Sequence, residues 1–303
     1  MSLIDFILNL AGLLLWLNWR AAPFDPLTRA TPATLAGTLR RTEPTRVKRW
    51  HFLAALAGLL VMRAWLYGQL GPALNWSPRI NLVATELVFK STDPHGWQPL
   101  LFSLLSFSRF LGIFFLWLLF LSLLTRGAGE SLPSLRLVRV HLGFVNGWPA
   151  WQKLLLPLVA GFVLWWLLTW PLVAGELVPR PISPGDRFIQ AALVGASAYF
   201  AWEYLAAALL TLHLQHNHVY FGRHPVWSFV ELAGRRLLSP LRSLPLRIGR
   251  MDLTPVAGIA LVFLIAHFAE NGLPPSRLDA KGRREARTFS IPGLIELYER
   301  ASR

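Results

Sequence analysis

The sequence predicts an all-α, polytopic membrane protein of about six transmembrane helices, arranged as three helical hairpins with amphipathic segments on the inner leaflet. Hydrophobic residues make up 54% of the 303 residues and charged residues only 15%, which is below the quarter that is usual in soluble domains. The 14 Trp and 19 Phe side chains suit a membrane interface, where amphipathic rings lie among headgroups. The long apolar stretches carry Leu and Phe on every face, which argues against helices of a water-soluble core.

Six stretches are long enough to cross, or nearly cross, a hydrocarbon core of about 30 Å. They are Leu3–Trp19, Trp50–Leu70, Pro99–Thr125, Trp151–Ala174, Phe188–Leu214 and Leu253–Glu270. The first is not typical of a cleaved signal peptide, because Met1–Asp5 carries an acid and no Lys or Arg, and basic residues begin only at Arg20. We therefore expect an uncleaved helix whose N-terminus lies outside.

Pairing these helices in order divides the chain into five parts. Residues 1–70 form a first hairpin, 71–98 an outer loop, 99–174 a second hairpin, 188–272 a third hairpin and 273–303 a polar tail.

The charges of the loops predict the orientation. Loops 20–49, 126–150 and 215–252 are rich in Lys and Arg, whereas 71–98 and 175–187 are nearly neutral. This alternation is the positive-inside pattern of a protein with both termini outside, and it accounts for most of the net charge of +14. The basic tail disagrees, because a tail on the inside requires an odd number of crossings.

The inner loops are expected to contact anionic lipid of the inner leaflet, and other membrane proteins. The residues predicted to make these contacts are Arg40, Arg41, Arg46, Arg235, Arg236, Arg242 and Arg247. Nucleic-acid binding is not expected, since no zinc-finger spacing, RNP motif or helix-turn-helix pattern accompanies the basic charge.

A Pro-broken basic segment precedes the last apolar stretch and carries a family resemblance. The residues that carry the resemblance are Pro240, Arg242, Pro245, Gly249, Asp252, Leu253, Thr254 and Pro255. The pattern resembles the YggT/YlmG family of bacterial and plastid membrane proteins, over about a quarter of the chain. Thr42-Glu43-Pro44 repeats part of it in the first hairpin, and residues 132–149 hold a looser version, so we expect a tandem repeat of the hairpin unit. The resemblance implies a multi-pass protein of the bacterial inner membrane, in a family associated with osmotic or ion homeostasis, division-site or nucleoid organisation, and plastid cytochrome assembly.

The same segment predicts a local structure. Apolar residues recur at helical spacing within Trp227–Leu241, which is typical of an interfacial helix. Pro240 and Pro245 should end that helix, Asp252 and Thr254 should cap the next one, and Pro255 suits its first turn.

Ionisable residues at membrane depth are the usual candidates for a functional site. The candidates here are Arg63, Arg109, Glu203, His267 and Glu270. Matching their depths at 1.5 Å per residue predicts that Arg109 pairs with Glu203, and Arg63 with His267 or Glu270. Structural pairing is favoured over a transport path, because few polar neighbours repeat along one face.

Histidines give a weaker candidate for a metal or haem site: His51, His213, His216 and His218. Positions i, i+3 and i+5 of one helix do not converge on one ion, so no cofactor is expected. The chain has no Cys, which excludes thiol chemistry and covalent c-type haem attachment.

Three functions remain open. The favoured one is a non-enzymatic accessory, assembly or scaffold protein of a larger membrane complex, since no catalytic motif is found. The alternatives are a small-ion channel or transporter, and a haem- or metal-handling protein. A short tail helix after Pro292-Gly293, with apolar Leu294, Ile295, Leu297 and Tyr298, is expected to dock on this chain or on a partner, or to be disordered.

Overall fold

The structure is a computed structural model of the chain, and it describes residues 2–21, 49–73, 77–89, 97–126, 134–218, 225–241, 247–248, 251–273 and 291–302. The chain divides into two compact units. Unit 1 comprises residues 1–80 and 88–112, and unit 2 comprises residues 81–87 and 113–303.

Helices dominate both units. The α-helices are α1 Ser2–Ala21, α2 Arg49–Ala73, α3 Trp97–Leu124, α4 Ser134–Leu142, α5 Ala150–Ala174, α6 Pro184–Ser197, α7 Ala201–His218, α8 Pro225–Leu237, α9 Thr254–Asn271 and α10 Leu294–Ser302. Short 3₁₀ segments lie at Gly143–Gly147, Ala198–Phe200 and Ser239–Leu241.

Among the residues that the structure describes, very short strands form three two-stranded sheets, which the sequence did not predict. The strands are β1 Arg79–Asn81, β2 Glu86–Val88, β3 Arg247–Ile248, β4 Met251–Asp252, β5 Gly272–Leu273 and β6 Ile291–Pro292. β1 pairs with β2, β3 with β4 and β5 with β6.

Within the described residues, six helical segments are long and apolar enough to cross a membrane. They are Leu3–Arg20, Arg49–Pro72, Trp97–Leu124, Ala150–Ala174, Pro184–Asn217 and Thr254–Asn271. The helices confirm the predicted all-α class, and the six segments fit a multi-pass membrane protein by length and composition. The fifth segment differs from the single predicted helix, because the 3₁₀ turn at Ala198–Phe200 separates α6 from α7.

The core of unit 1 is built where α1 and α2 pack together and the first half of α3 joins them. Leu56, Leu60 and Phe107 form a buried apolar cluster. Gly12 allows this approach, since a Cβ atom there would lie 2.8 Å from the Phe107 ring. The three helices are therefore held close enough for short polar side chains to meet between them.

In unit 2 the closest packing of α5 is with α6, a pairing that the three predicted hairpins did not include. Two glycines face each other in this contact. A Cβ atom on Gly161 would lie 2.8 Å from the Gly195 Cα, and one on Gly195 only 2.5 Å from the Leu158 carbonyl oxygen. Small residues that let helix backbones approach are typical of helix packing in membranes.

The start of α6 is fixed by a capping box. Ser183 Oγ accepts a hydrogen bond from the Asp186 backbone N–H, while the Asp186 carboxylate accepts one from the Ser183 backbone N–H. Pro184 in the first turn suits this start.

The predicted tail helix is present as α10, and it docks on the chain's own unit 2. It packs against α6 and α9. Gln190 Nε2 donates a hydrogen bond of 3.0 Å to the Ala301 carbonyl oxygen, and the Tyr298 ring meets the Trp165 ring edge-on at 6.2 Å. The chain reaches this position through β5 and β6, where Gly272 pairs with Pro292. Gly272 has a φ of 76°, a conformation that glycine adopts without strain.

Candidate functional site

The most developed polar site lies in unit 1 and is centred on Arg63 of α2. The side chain is 1% exposed although it is charged. Its Nε donates to the Tyr67 hydroxyl at 3.0 Å, and its Nη1 donates to Asn9 Oδ1 at 2.6 Å. Its Nη2 donates to Ser106 Oγ at 2.8 Å and to Asp5 Oδ1 at 3.3 Å. The guanidinium group is thus bonded to all three helices of the unit.

The neighbours of Arg63 complete a closed network. The Tyr67 hydroxyl donates to Asp5 Oδ1, and Asn9 Nδ2 donates to Ser106 Oγ at 3.2 Å. The Arg63 Cζ atom also lies 5.3 Å from the centre of the Tyr67 ring and 5.5 Å from that of Phe102, within the range of cation–π attraction. Each polar group that is buried here therefore has a partner that offsets its desolvation.

Helix directions explain why these residues meet. α1 and α2 are consecutive and lie side by side, so the first turns of α1 face the last turns of α2. Asp5 lies in the first turn of α1, with Asn9 one turn further. Tyr67 follows Arg63 by one turn of α2, and the guanidinium group extends toward Asp5. The site consequently lies toward the predicted outer end of unit 1.

Sequence analysis selected Arg63 but not its ion-pair partner. Asp5 served only as evidence about the N-terminal charge, although an acid in the first turn of an apolar helix is itself a signal. The predicted partners His267 and Glu270 lie on α9 in unit 2, so that pairing remains a prediction. The partner that the structure gives to Arg63 is Asp5.

Arg109, the second predicted arginine, is exposed on α3 in unit 1. Among the residues that the structure describes, it has no hydrogen-bond or ion-pair partner. Its predicted partner Glu203 is half-buried on α7 in unit 2, so the pairing stays a prediction.

Glu203 lines a cavity of about 330 Å³ within unit 2. The walls of this cavity are mostly apolar side chains of α3, α7 and α9, including Phe120, Trp202 and Ile265. Glu270 of α9 is close enough to act electrostatically on Glu203. On the same helix, His267 is exposed, and its Nδ1 lies 3.1 Å from Asn271 Nδ2.

The histidines do not form a metal site in the described part of the chain. His213 is buried against Gly234 of α8, where a Cβ atom would lie 2.4 Å from the imidazole ring. The His216 ring stacks on Trp227 at 5.4 Å and an interplanar angle of 4°. His51 is exposed at the start of α2, in unit 1. For His218 only the helical backbone is described.

The amphipathic segment predicted over 227–241 is present as α8 and the following 3₁₀ turn, and Val230 is buried at 2% exposure. Arg235 is exposed and pairs with Glu231 at 2.5 Å. Arg236 donates from Nη1 to the carbonyl oxygens of Leu124 at 2.6 Å and Arg126 at 2.5 Å. Arg236 thus caps the C-terminal end of α3, a use that the expected lipid contact did not include.

The motif before α9 is described only in part. Arg247 and Asp252 are Cα partners across β3 and β4, and Pro240 lies in the 3₁₀ turn that follows α8. α9 begins at Thr254 with Pro255 in its first turn, as expected, but the cap position is held by Leu253, whose side chain makes no capping bond. This cap position lies between the two residues that were predicted to cap the helix, Asp252 and Thr254.

The remaining predicted residues of the basic loops and the motif lie outside the described part of the chain. They are Arg40, Arg41, Arg46, Arg242, Pro245 and Gly249.

A second polar site, which sequence analysis did not select, lies in unit 2. Lys153 of α5 is 3% exposed, and its Nζ donates to Ser122 Oγ at 2.8 Å and to the Asn146 carbonyl oxygen at 2.7 Å. Ser122 Oγ donates to Asn146 Oδ1 at 2.8 Å. The sequence indicates Lys153 only as a charge beside a loop, because its burial depends on contacts with Ser122 and Asn146 that form only in the folded chain.

A cavity of about 390 Å³ opens beside Lys153. It is lined by Ser122, Thr125, Arg126, Val138, Arg139, Asn146, Gly147, Trp148, Pro149 and Lys153.

Comparison with known protein families, with curated proteins and with solved structures finds no match to this chain. The resemblance to the YggT/YlmG family consequently remains a prediction from the motif before α9.

Proposed function

We propose that this chain is a non-enzymatic, multi-pass protein of a bacterial inner membrane that serves as an accessory or assembly subunit of a larger membrane complex. In this proposal Arg109 is the point at which it pairs with an acidic residue of another membrane protein. Membership of the YggT/YlmG family is part of the proposal.

The observation that carries the proposal is the position of Arg109. It lies near the middle of α3, about 18 Å along the helix from Trp97, so it falls inside a hydrocarbon core of about 30 Å. Its side chain is exposed, and within the described residues it has no partner. A charge at this depth costs several kcal/mol unless it pairs, and such residues usually do pair. A membrane-embedded carboxylate of a partner protein would meet this need.

Arg63, in the same unit, shows how an arginine that has its partners within the chain differs from Arg109. Four hydrogen bonds bind Arg63 to residues of α1, α2 and α3. That arginine uses four of its five N–H donors to hold the helices together. The two arginines thus differ in what they require, since Arg63 has its hydrogen-bond partners within unit 1 and Arg109 has none among the described residues.

The proposal is tested by purification in mild detergent at native expression level, followed by mass spectrometry of associated proteins. Wild-type protein should retain a membrane partner, and Arg109→Leu should lose it. Arg109→Lys keeps the charge and should retain part of the partner. Ser108→Ala is the matched control, because Ser108 is an exposed neighbour on the same helix that carries no charge. A wild-type protein that purifies alone, with Arg109→Leu unchanged, would contradict the proposal.

Two other outcomes would replace this proposal with a different role for Arg109. If Glu203→Gln and Arg109→Leu destabilise the isolated protein non-additively, Arg109 pairs within the chain. If Arg109→Leu abolishes ion flux in proteoliposomes at unchanged thermal stability, the transporter reading takes its place.

A further inference from the structure

We infer that the cavity beside Lys153 binds the phosphate group of an anionic phospholipid headgroup. The inference concerns unit 2 alone and is independent of the role proposed for Arg109.

The first argument is charge. Three cationic side chains line the cavity, those of Arg126, Arg139 and Lys153, and among its described lining residues there is no Asp or Glu. Arg126 acts electrostatically on Lys153, so like charges are held near one another. Arg126 and Lys153 repel each other, and a phosphate group that enters the cavity supplies the negative charge that offsets this repulsion.

The second argument is the hydrogen bonding of Lys153. Its ammonium group has three N–H donors, and the structure accounts for two of them, on Ser122 Oγ and the Asn146 carbonyl oxygen. Both acceptors are neutral, so they satisfy donors without balancing the charge of a side chain that is 3% exposed. A phosphate oxygen would accept the third donor and neutralise the charge at once.

The third argument is that the site is built rather than incidental. The network of Ser122, Asn146 and Lys153 joins α3, the 3₁₀ turn and α5 around the buried amine. Arg236 holds the end of α3 through the carbonyl oxygens of Leu124 and Arg126. The backbone that carries Arg126 is therefore fixed at the rim of the cavity.

Location favours a lipid over a free anion. The lining residues come from the end of α3, from α4 and from the start of α5, on the side that loop charges predict to be inner. Trp148 in the wall is a residue type typical of the headgroup layer. Basic pockets between transmembrane helices on the inner side are a recurring way to hold anionic headgroups.

The test measures lipid binding to the full chain. Detergent-purified protein is titrated with phosphatidylglycerol, phosphatidylcholine or inorganic phosphate, and bound lipid is counted by native mass spectrometry while the melting temperature is followed. We expect phosphatidylglycerol to bind and to raise the melting temperature, whereas the zwitterionic lipid does not. Arg126→Gln should weaken binding roughly tenfold, the effect of losing one charge-assisted hydrogen bond. Lys153→Met should weaken it at least as much.

Controls keep the outcomes distinct. Arg300→Gln removes the same charge from an exposed residue of α10 and should leave lipid binding unchanged. Arg126 is exposed, so its variant folds even if Lys153→Met does not. Equal effects of inorganic phosphate and phosphatidylglycerol would overturn the lipid assignment. Absence of any anion effect would overturn the site, as would destabilisation by Glu130→Gln with no lipid response, which would make that acid the counter-charge.

Discussion

Arg63 and Arg109 lie on neighbouring helices of unit 1 and solve the same physical problem differently. Both are cations within apolar helices, where desolvation disfavours a lone charge. Arg63 is buried at 1% exposure among acceptors on three helices, whereas Arg109 is exposed. A buried and fully bonded charge fixes the registry of helices, and an exposed one creates a need for a partner.

The network around Arg63 predicts a strong dependence of stability on one residue. Arg63→Met removes the cation that pairs with the Asp5 carboxylate and the donor to the Asn9 amide oxygen, so we expect a loss of about 3–5 kcal/mol in the free energy of unfolding. Asp5→Asn should cost less, since that carboxylate is partly exposed and its amide still accepts a bond. Thermal or denaturant unfolding in detergent measures both changes.

The double variant tests whether the two residues act through one another. An interaction energy of roughly 0.5–3 kcal/mol in the cycle is expected for residues in one network. Glu296→Gln is the control, because its pair with Arg300 is exposed and should matter by less than about 1 kcal/mol. Additive losses from Arg63→Met and Asp5→Asn would contradict the pairing.

The sequence indicated Arg63 as a charge at membrane depth but did not indicate Asp5, the partner that the structure gives it. Depth was matched between Cα atoms, which places Arg63 beside His267 and Glu270. An arginine side chain extends several ångströms, and such side chains reach toward the membrane boundary. The charged group therefore meets acids that lie nearer the outer boundary than its own Cα, as Asp5 does. The burial of Lys153 was not predicted for a related reason, because it depends on the fold of α4 and the turn beyond it.

At the scale of helices, the contact between α5 and α6 depends on two glycines. Gly195→Ala would bring a Cβ atom to 2.5 Å from the Leu158 carbonyl oxygen, so the helices must separate. We expect a loss of about 1–3 kcal/mol, the usual cost of overpacking. Gly58→Ala on α2 is the matched control, because no atom lies within 4 Å of its new Cβ and alanine favours the helix. Equal melting temperatures of the two variants would contradict the close contact.

The docking of α10 predicts that the stability of the protein falls at alkaline pH. Burial raises the pKa of the Tyr298 phenol, because ionisation within the contact is unfavourable. A folded-state pKa above the unfolded value of about 10 means that the contribution to stability is present below that pH. It is lost as the pH rises through the folded pKa. The melting temperature of wild-type protein should therefore fall between pH 9 and strongly alkaline pH more than that of Tyr298→Phe.

Tyr204→Phe is the control for this effect, since Tyr204 is exposed at 67%. The melting temperature of Tyr204→Phe should fall at alkaline pH as much as that of wild-type protein. If Tyr298→Phe also keeps that fall, the phenol does not titrate with the docking of α10.

Because α10 docks on unit 2, a truncation of the tail does not test partner binding alone. The sequence left open whether this segment binds its own chain, binds a partner or is disordered. A nine-residue helix is marginal alone, so its stability must come from α6 and α9. The apolar pattern of Leu294, Leu297 and Tyr298 predicted the helix, but a pattern on one element does not specify which surface covers it. Loss of residues 291–302 should thus destabilise unit 2 directly, and partner release after truncation would not by itself identify a partner surface.

At the scale of the whole molecule, apolar length predicted six membrane segments, and the described part of the chain contains six that fit by length and composition. What the pattern could not show was the break at Ala198–Phe200, since its residues continue the apolar composition on either side. The basic tail was the discordant element for a topology with both ends outside. Its terminal helix packs on α6 and α9, and β5, which follows α9 directly, pairs with β6, which precedes α10. Contacts with α6 and α9 thus hold α10 beside the end of α9.

The orientation itself is a final prediction. Six crossings with basic loops 20–49, 126–150 and 215–252 inside place both termini outside. Single introduced cysteines can be labelled without background, because the chain contains no cysteine of its own. Cysteine at Ser91 in the first outer loop and at Ser276 after α9 should react with an impermeant maleimide added to intact cells. Cysteine at Ser228, which is exposed on α8, should react only after the cells are opened. Labelling of Ser228 but not Ser276 in intact cells would invert the topology and would move the cavity beside Lys153 to the outer leaflet.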